Sequence, residues 1–133
     1  MHTHLLWPAL ATLGTSLLLF ITAALVGRAR VRYGIQAPAT HGHEMFDRAY
    51  RVQMNTLENV VLFLPALWLA ATFFNSAVAT VLAAVWLIGR TWYAAAYLKN
   101  PAKRGGGFLL AFLAWGGLML LASWGVIRAL LAI

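Results

Sequence analysis

The sequence predicts an all-α integral membrane protein, a four-transmembrane-helix bundle forming one domain over residues 1–133. The first observation is compositional: the 133 residues are 62% hydrophobic and only 10% charged, which is unlike a soluble globular domain. The second is the presence of four long apolar runs, from about Leu5 to Val26, Val60 to Phe74, Val78 to Leu98 and Phe108 to Ile133. Three of these runs reach the ~20 residues that cross a bilayer. Together the four use almost the whole chain, leaving no room for a soluble module.

The first run follows Met1-His2-Thr3-His4, which lacks Lys and Arg. Its apolar stretch exceeds the ~7–15 residues of a signal-peptide core, so an uncleaved membrane helix is expected, with Pro8 in its first turn. The second run is too short alone. It spans a membrane only if its helix starts near Phe46 and takes in the polar residues that precede Val60. Pro65 is expected to kink it, with neighbouring helices satisfying the freed carbonyl. Asn75-Ser76 predicts a tight antiparallel hairpin into the third helix. Polar residues from Gly27 to Glu44 join the first two helices. Lys99 to Gly107, with Pro101 and Gly105-Gly106-Gly107, joins the last two. The glycine run follows no strand and lacks the phosphate-loop pattern, so a flexible connection is expected. In the fourth helix Gly116, Gly117, Ala122 and Gly125 suit close helix packing. Trp7, Trp115 and Trp124 read as interfacial anchors or lipid-facing packing, and Trp86 as packing.

Charge sets the expected orientation. Arg28, Arg30, Arg32, Arg48, Lys99, Lys103 and Arg104 belong to the side carrying the first and third loops, with Arg51 and Arg90 just inside it. Only Arg128 sits toward the other side. The positive-inside rule puts those loops in the cytoplasm, and the short connections suit a bacterial inner membrane. The net charge of +7 is largely this asymmetry, which also attracts anionic lipid headgroups. Without a soluble basic domain, nucleic-acid binding is a poor reading.

The anomaly is a polar stripe running into the second span. At 100° per residue Arg48, Arg51, Asn55 and Glu58 share one helix face, and ionisable groups carried into a membrane helix are costly and point to function. The third helix repeats the pattern with Trp86, Arg90, Tyr93 and Tyr97. A tight hairpin makes the two stripes neighbours, so Arg51, Asn55 and Glu58 can share a cavity with Arg90, Tyr93 and Tyr97. The alternative is an internal salt bridge, Arg51–Glu58 or Arg90–Glu58, that only packs the bundle. One Glu neutralises one Arg, however, and the remaining arginines call for an anionic ligand. Guanidinium forks pair with carboxylates, a lone carboxylate suits an ammonium, and Asn55 and the phenols suit amides or a thiol. A small peptide with several carboxylates and one amine matches this set, and an apolar second substrate can arrive from lipid.

These residues carry a resemblance. The run FDRAYRVQMNTLENVVLFL (Phe46 to Leu64), with ARVRYGIQAP upstream and GRTWYAAAYLKNPAKRGGG downstream, resembles the MAPEG family, the membrane-associated proteins of eicosanoid and glutathione metabolism. The NTLE element and PAKR loop are more similar to its microsomal glutathione transferase branch than to its prostaglandin or lipoxygenase-activating branches. The resemblance implies a homotrimer with glutathione, the cosubstrate, bound between subunits. Arg51, Asn55, Glu58, Tyr93 and Tyr97 then match glutathione-binding positions. Arg30 and Gln53 match positions that reach the site from a neighbouring subunit. Arg104 matches the arginine that stabilises the glutathione thiolate. The family often has an aromatic residue directly after the Glu, where this chain has Asn59.

The chain has no cysteine, so thiol chemistry must borrow its sulfur. No metal site is expected: His41 and His43 lack zinc spacing and read as solvated loop residues, as do His2 and His4. The contribution of Arg104 can be bounded. A free thiol of pKa about 8.5 is about 3% thiolate at pH 7. Lowering that pKa by about 2.5 units raises the thiolate roughly 30-fold. A Brønsted slope of about 0.45 then lowers reactivity about 13-fold, leaving a net gain of about 2-fold. Proximity to an apolar electrophile must supply more, through apolar residues such as Ala94, Leu98 or Phe108. The expected activity is glutathione transfer to lipophilic electrophiles, with a glutathione-dependent peroxidase reaction open to the same thiolate. The alternatives are a non-catalytic lipid-binding scaffold and a proton-driven four-helix transporter. The latter is disfavoured because the first span has no acidic residue.

Overall fold

A computed structural model of the chain describes residues 3–133, so the reading made for His2 lies outside the described residues. A 3-10 turn at Thr3–Leu5 leads into α1 (Leu6–Tyr33), followed by α2 (Glu44–Phe73), α3 (Ser76–Lys99), a second 3-10 turn at Pro101–Lys103 and α4 (Gly105–Leu130). All four helices are long and apolar enough to cross a membrane. The protein is an all-α, four-helix multi-pass membrane protein. α2 and α3 each pack against both α1 and α4, which make no comparable contact with each other.

The interior is filled mainly by small residues, as expected where lipid supplies no hydrophobic drive and helices associate by close packing. Ala66, Ala70, Ala79, Ala83, Ala111 and Ala114 are buried around Phe63, Leu67, Trp86 and Leu118. Phe63 and Trp86 stack with ring centroids 3.9 Å apart, which confirms Trp86 as packing. Trp7, Trp92 and Trp124 face outward. α2 runs through Pro65. Trp115 on α4 donates to the carbonyl of Leu62 at 3.2 Å, next to Val61, the residue whose carbonyl loses its helical partner to the proline. Asn75 forms the tight hairpin turn, its Oδ1 accepting from the Val78 N–H at 3.0 Å, an N-cap bond for α3.

Three expectations need correction. The segment taken as the start of the first loop is helical: α1 continues through Arg28, Arg30 and Arg32 to Tyr33 and stops at Gly34, whose φ of 66° supplies the left-handed C-cap. The apolar run ends near Val26, whereas the helix continues to Tyr33. The glycine run is not a flexible connection either, since Gly105–Gly107 form the first turn of α4. Gly107 is buried against α3, where a Cβ would stand 2.7 Å from the Tyr93 Cα and the Gly89 oxygen. Finally, Gly125 and Ala122 do sit in close helix contacts, but Gly116 faces open space.

Arg48 pins the polar end of the bundle. Its Nη1 donates to the carbonyls of Leu98 (3.2 Å) and Lys99 (3.0 Å), orphan acceptors at the C-terminus of α3. Its Nη2 pairs with Glu44. Replacing Arg48 with alanine is expected to destabilise the protein by about 1.5 kcal/mol and to speed amide exchange in the last turn of α3 relative to its middle, measured by hydrogen–deuterium exchange mass spectrometry.

Candidate functional site

The site forms where the basic ends of α2 and α3 meet the link to α4. Arg90 is fully buried. Its Nη2 donates to Asn55 Oδ1 at 3.1 Å and to Thr56 Oγ1 at 3.0 Å, tying α3 to α2. Its guanidinium lies 4.1 Å from the Tyr93 ring centroid. Tyr93 and Tyr97 follow on the same face of α3, their rings 5.7 Å apart. Arg104 sits beyond α3 with its guanidinium 5.9 Å from the Tyr97 ring, held by a 2.9 Å bond from its Nη1 to the Pro101 carbonyl. A hollow of about 810 Å³ opens beside this cluster, lined by Arg51, Tyr97, Arg48 and Pro101 and by the loop before α2, including His41 and His43.

Electrostatically the cluster is unbalanced. The only salt bridge among the described residues joins Arg48 to Glu44, so neither Arg51–Glu58 nor Arg90–Glu58 forms. Arg90 keeps Nε and Nη1 buried without a partner. Arg51 and Glu58 are exposed on the outer face of α2. The hollow itself carries Arg48 and Arg51 beside Glu44 and Asp47. Glu44 is paired with Arg48 and Asp47 accepts from the Gly42 N–H, which leaves the Arg51 guanidinium without a carboxylate partner, while Glu58 lies outside the hollow.

The structure brings together Asn55, Arg90, Tyr93, Tyr97 and Arg104. Of these Tyr97 lines the hollow together with Arg51, and Glu58 does not. It does not bring in Arg30 or Gln53. Arg30 bonds the Ala39 carbonyl at 2.8 Å and lies 4.8 Å from the Phe46 ring centroid, and Gln53 is about 160° around α2 from Arg51 at 100° per residue. Arg90 has no exposed surface of its own; it contacts Asn55, Thr56 and the Tyr93 ring. His43 is not merely solvated: its ring stacks on Tyr33 at 3.8 Å and its Nδ1 caps α2 by accepting from the Met45 N–H. Ala94 and Leu98 line a separate groove between α1 and α3, and Phe108 stacks on Phe112.

Two contributors escaped sequence reasoning. Thr56 lies 100° around α2 from Asn55 and off the stripe, and nothing in its neighbourhood signals an arginine partner. Asn59 was singled out only as a departure. Its Nδ2 donates to the Asn55 carbonyl at 2.8 Å, the same residue that accepts from Arg90.

Fold and site define a small multi-pass helical membrane protein with a polar hollow bearing Arg51 and Tyr97 beside a buried arginine at one end of the bundle. The chain matches the MAPEG family over residues 8–124, and it belongs to that family. It is 36% identical to human microsomal glutathione S-transferase 2 over 109 residues, covering 82% of this chain and 74% of that protein. It is 36% identical to bovine leukotriene C4 synthase over 76 residues, 57% of this chain and 51% of that protein. An uncharacterized protein of the cyanobacterium Synechocystis is 49% identical over 111 residues, 84% of this chain and 81% of its own length.

Proposed function

We propose that the protein is a membrane glutathione transferase that joins the glutathione sulfur to lipophilic electrophiles. The observation that carries this is the set of arginines without carboxylate partners around two successive phenols of α3: Arg90 against Tyr93, Arg104 over Tyr97, and Arg51 beside Tyr97 in the wall of the hollow. Two carboxylates and an ammonium make glutathione a fit for those donors and for Glu58. The relationship to a glutathione S-transferase and a leukotriene C4 synthase supports the same choice.

In this reading Arg51 takes a glutathione carboxylate, Glu58 the ammonium, and Asn55, Tyr93 and Tyr97 the peptide groups. Arg90 holds Asn55 and Tyr93 in place from behind. Arg104 holds the sulfur as thiolate. The sulfur lone pair attacks the electrophilic carbon, a C–S bond forms, and the leaving group departs or an epoxide C–O bond opens and takes a proton from water. With a hydroperoxide, the thiolate attacks the outer oxygen and the O–O bond breaks to release an alcohol, and a second glutathione then resolves the product to the disulfide. Exposure of Arg51 and Glu58 on one chain, with Arg30 and Gln53 turned away from them, supports a homotrimer in which Arg30 and Gln53 serve the neighbouring site. The basic loops face the cytoplasm in this arrangement, in a bacterial inner membrane, where glutathione is supplied from the aqueous side.

Calorimetric titration of the detergent-solubilised protein, together with turnover on a panel of electrophiles and hydroperoxides, tests the reading. Glutathione is expected to bind in the millimolar range or tighter, and no heat at millimolar glutathione would leave a non-catalytic scaffold as the better account. Replacing Arg51 with alanine is expected to raise the glutathione KM about 10- to 100-fold, the worth of a charge-assisted hydrogen bond. kcat should change little, the signature of lost ground-state binding.

A further inference from the structure

A second concavity lies away from this site. At the basic end, a cavity of about 640 Å³ between α1, the start of α2 and the end of α3 carries Arg28 and Arg32 in its wall. A narrower apolar cavity of about 360 Å³ follows the α1/α3 seam as far as Gly14. Leu25 and Leu98 line both, so the two form one groove. From Arg28 to Gly14 the groove runs about 21 Å along α1, somewhat more than one leaflet of a ~30 Å hydrocarbon core.

Charge narrows the choice of occupant. Arg28 and Arg32 are four residues apart and share a face of α1. Both are exposed. Arg28 has no hydrogen bond or ion pair among the described residues, and Arg32 lies only loosely over Tyr33, at 5.7 Å. No acidic residue lines either cavity. The chain has only three acidic residues, all on α2. Glu44 pairs with Arg48, Asp47 accepts from the Gly42 N–H, and Glu58 sits on the stripe. A second copy of the chain therefore has little to offer two arginines. Arg104 lines neither cavity, so the groove is separate from the thiol chemistry.

We propose that this groove binds an anionic glycerophospholipid, with its phosphate between Arg28 and Arg32 and one acyl chain laid along the α1/α3 seam. Arginine forks match phosphate geometry, and anionic headgroups concentrate at the basic face of a membrane protein. The groove is apolar below the headgroup, as an acyl chain requires.

Native mass spectrometry of the full-length protein, with phosphatidylglycerol or phosphatidylcholine of identical acyl chains, tests the proposal. The parent protein is expected to retain phosphatidylglycerol about tenfold or more over phosphatidylcholine. The R28Q/R32Q double variant should lose that preference to within about twofold. Ala95→Trp, which fills the α1/α3 wall and leaves both arginines in place, should lower retention of both lipids. Phosphatidylglycerol should raise the melting temperature of the parent but not of R28Q/R32Q, which separates a lost site from a misfolded variant. Equal retention of the two lipids, or a preference that survives R28Q/R32Q, overturns the site. Efficient disulfide cross-linking between chains through Ala95→Cys, in a protein with no other cysteine, also overturns it, because a second copy then covers the groove.

Discussion

Replacing Arg104 with alanine is expected to lower kcat about 100-fold, the cost of removing one preorganised donor from a developing or bound anion, while the calorimetric Kd for glutathione changes by no more than about threefold. Arg104 stands over Tyr97 rather than within the Asn55–Arg90–Thr56 network. Its loss should therefore spare the binding frame. The magnitude carries information. Thiolate formation alone accounts for about a 2-fold rate gain at pH 7, because a lower pKa also weakens the nucleophile. A drop near 100-fold therefore assigns Arg104 to orienting the sulfur and stabilising the transition state, and a drop near 2-fold would confine it to tuning the thiol. Conjugation at the parent rate would remove it from the chemistry altogether.

Gly107→Ala is expected to destabilise the bundle by about 2–3 kcal/mol, at the upper end of overpacking effects, and to weaken glutathione binding with it. The added methyl would press on the Tyr93 backbone and stand 2.7 Å from the Gly89 oxygen. These are backbone atoms in the middle of α3 and cannot step aside as a side chain would. α4 has to retreat, and Tyr93 moves with the strain. Thermal unfolding read beside glutathione titration checks both halves of the prediction. Gly105→Ala is the control, since nothing lies within 4 Å of its added carbon. Equal behaviour of the two variants would mean that the α3/α4 contact contributes nothing to the site.

The helices were legible because the membrane imposes a long apolar run on each of them. The hairpin at Asn75 was legible because a side-chain cap and a two-residue interruption leave few alternatives. The polar stripe was legible because its cost in lipid makes it conspicuous. What stayed hidden depended on tertiary contact. Glycine has poor helix propensity, so Gly105–Gly107 read as flexible until α3 was in place to reward a close approach. Arg48 read as a topology charge at the start of the stripe, yet it caps α3 from fifty residues away. Thr56 gained its role only because α3 delivers Arg90 to it. Arg28 and Arg32 read as loop charges that set topology, because hydropathy does not register a helix that leaves the membrane without unwinding.

The length of α2 has a kinetic consequence. Its 30 residues measure about 45 Å against a hydrocarbon core of ~30 Å. With Phe73 at the far edge, about 15 Å of helix emerges at the Glu44 end. Arg51, about 10 Å along, then lies above the hydrocarbon edge, and Glu58, about 21 Å along, lies below it. In the proposed transferase this puts the water–lipid boundary between the two ends of the stripe, so its two reactants would be drawn from different phases. The effective concentration of the lipophilic partner is its amount per lipid, not per litre. Adding inert lipid at fixed electrophile should slow turnover by surface dilution, while the dependence on glutathione stays where it was.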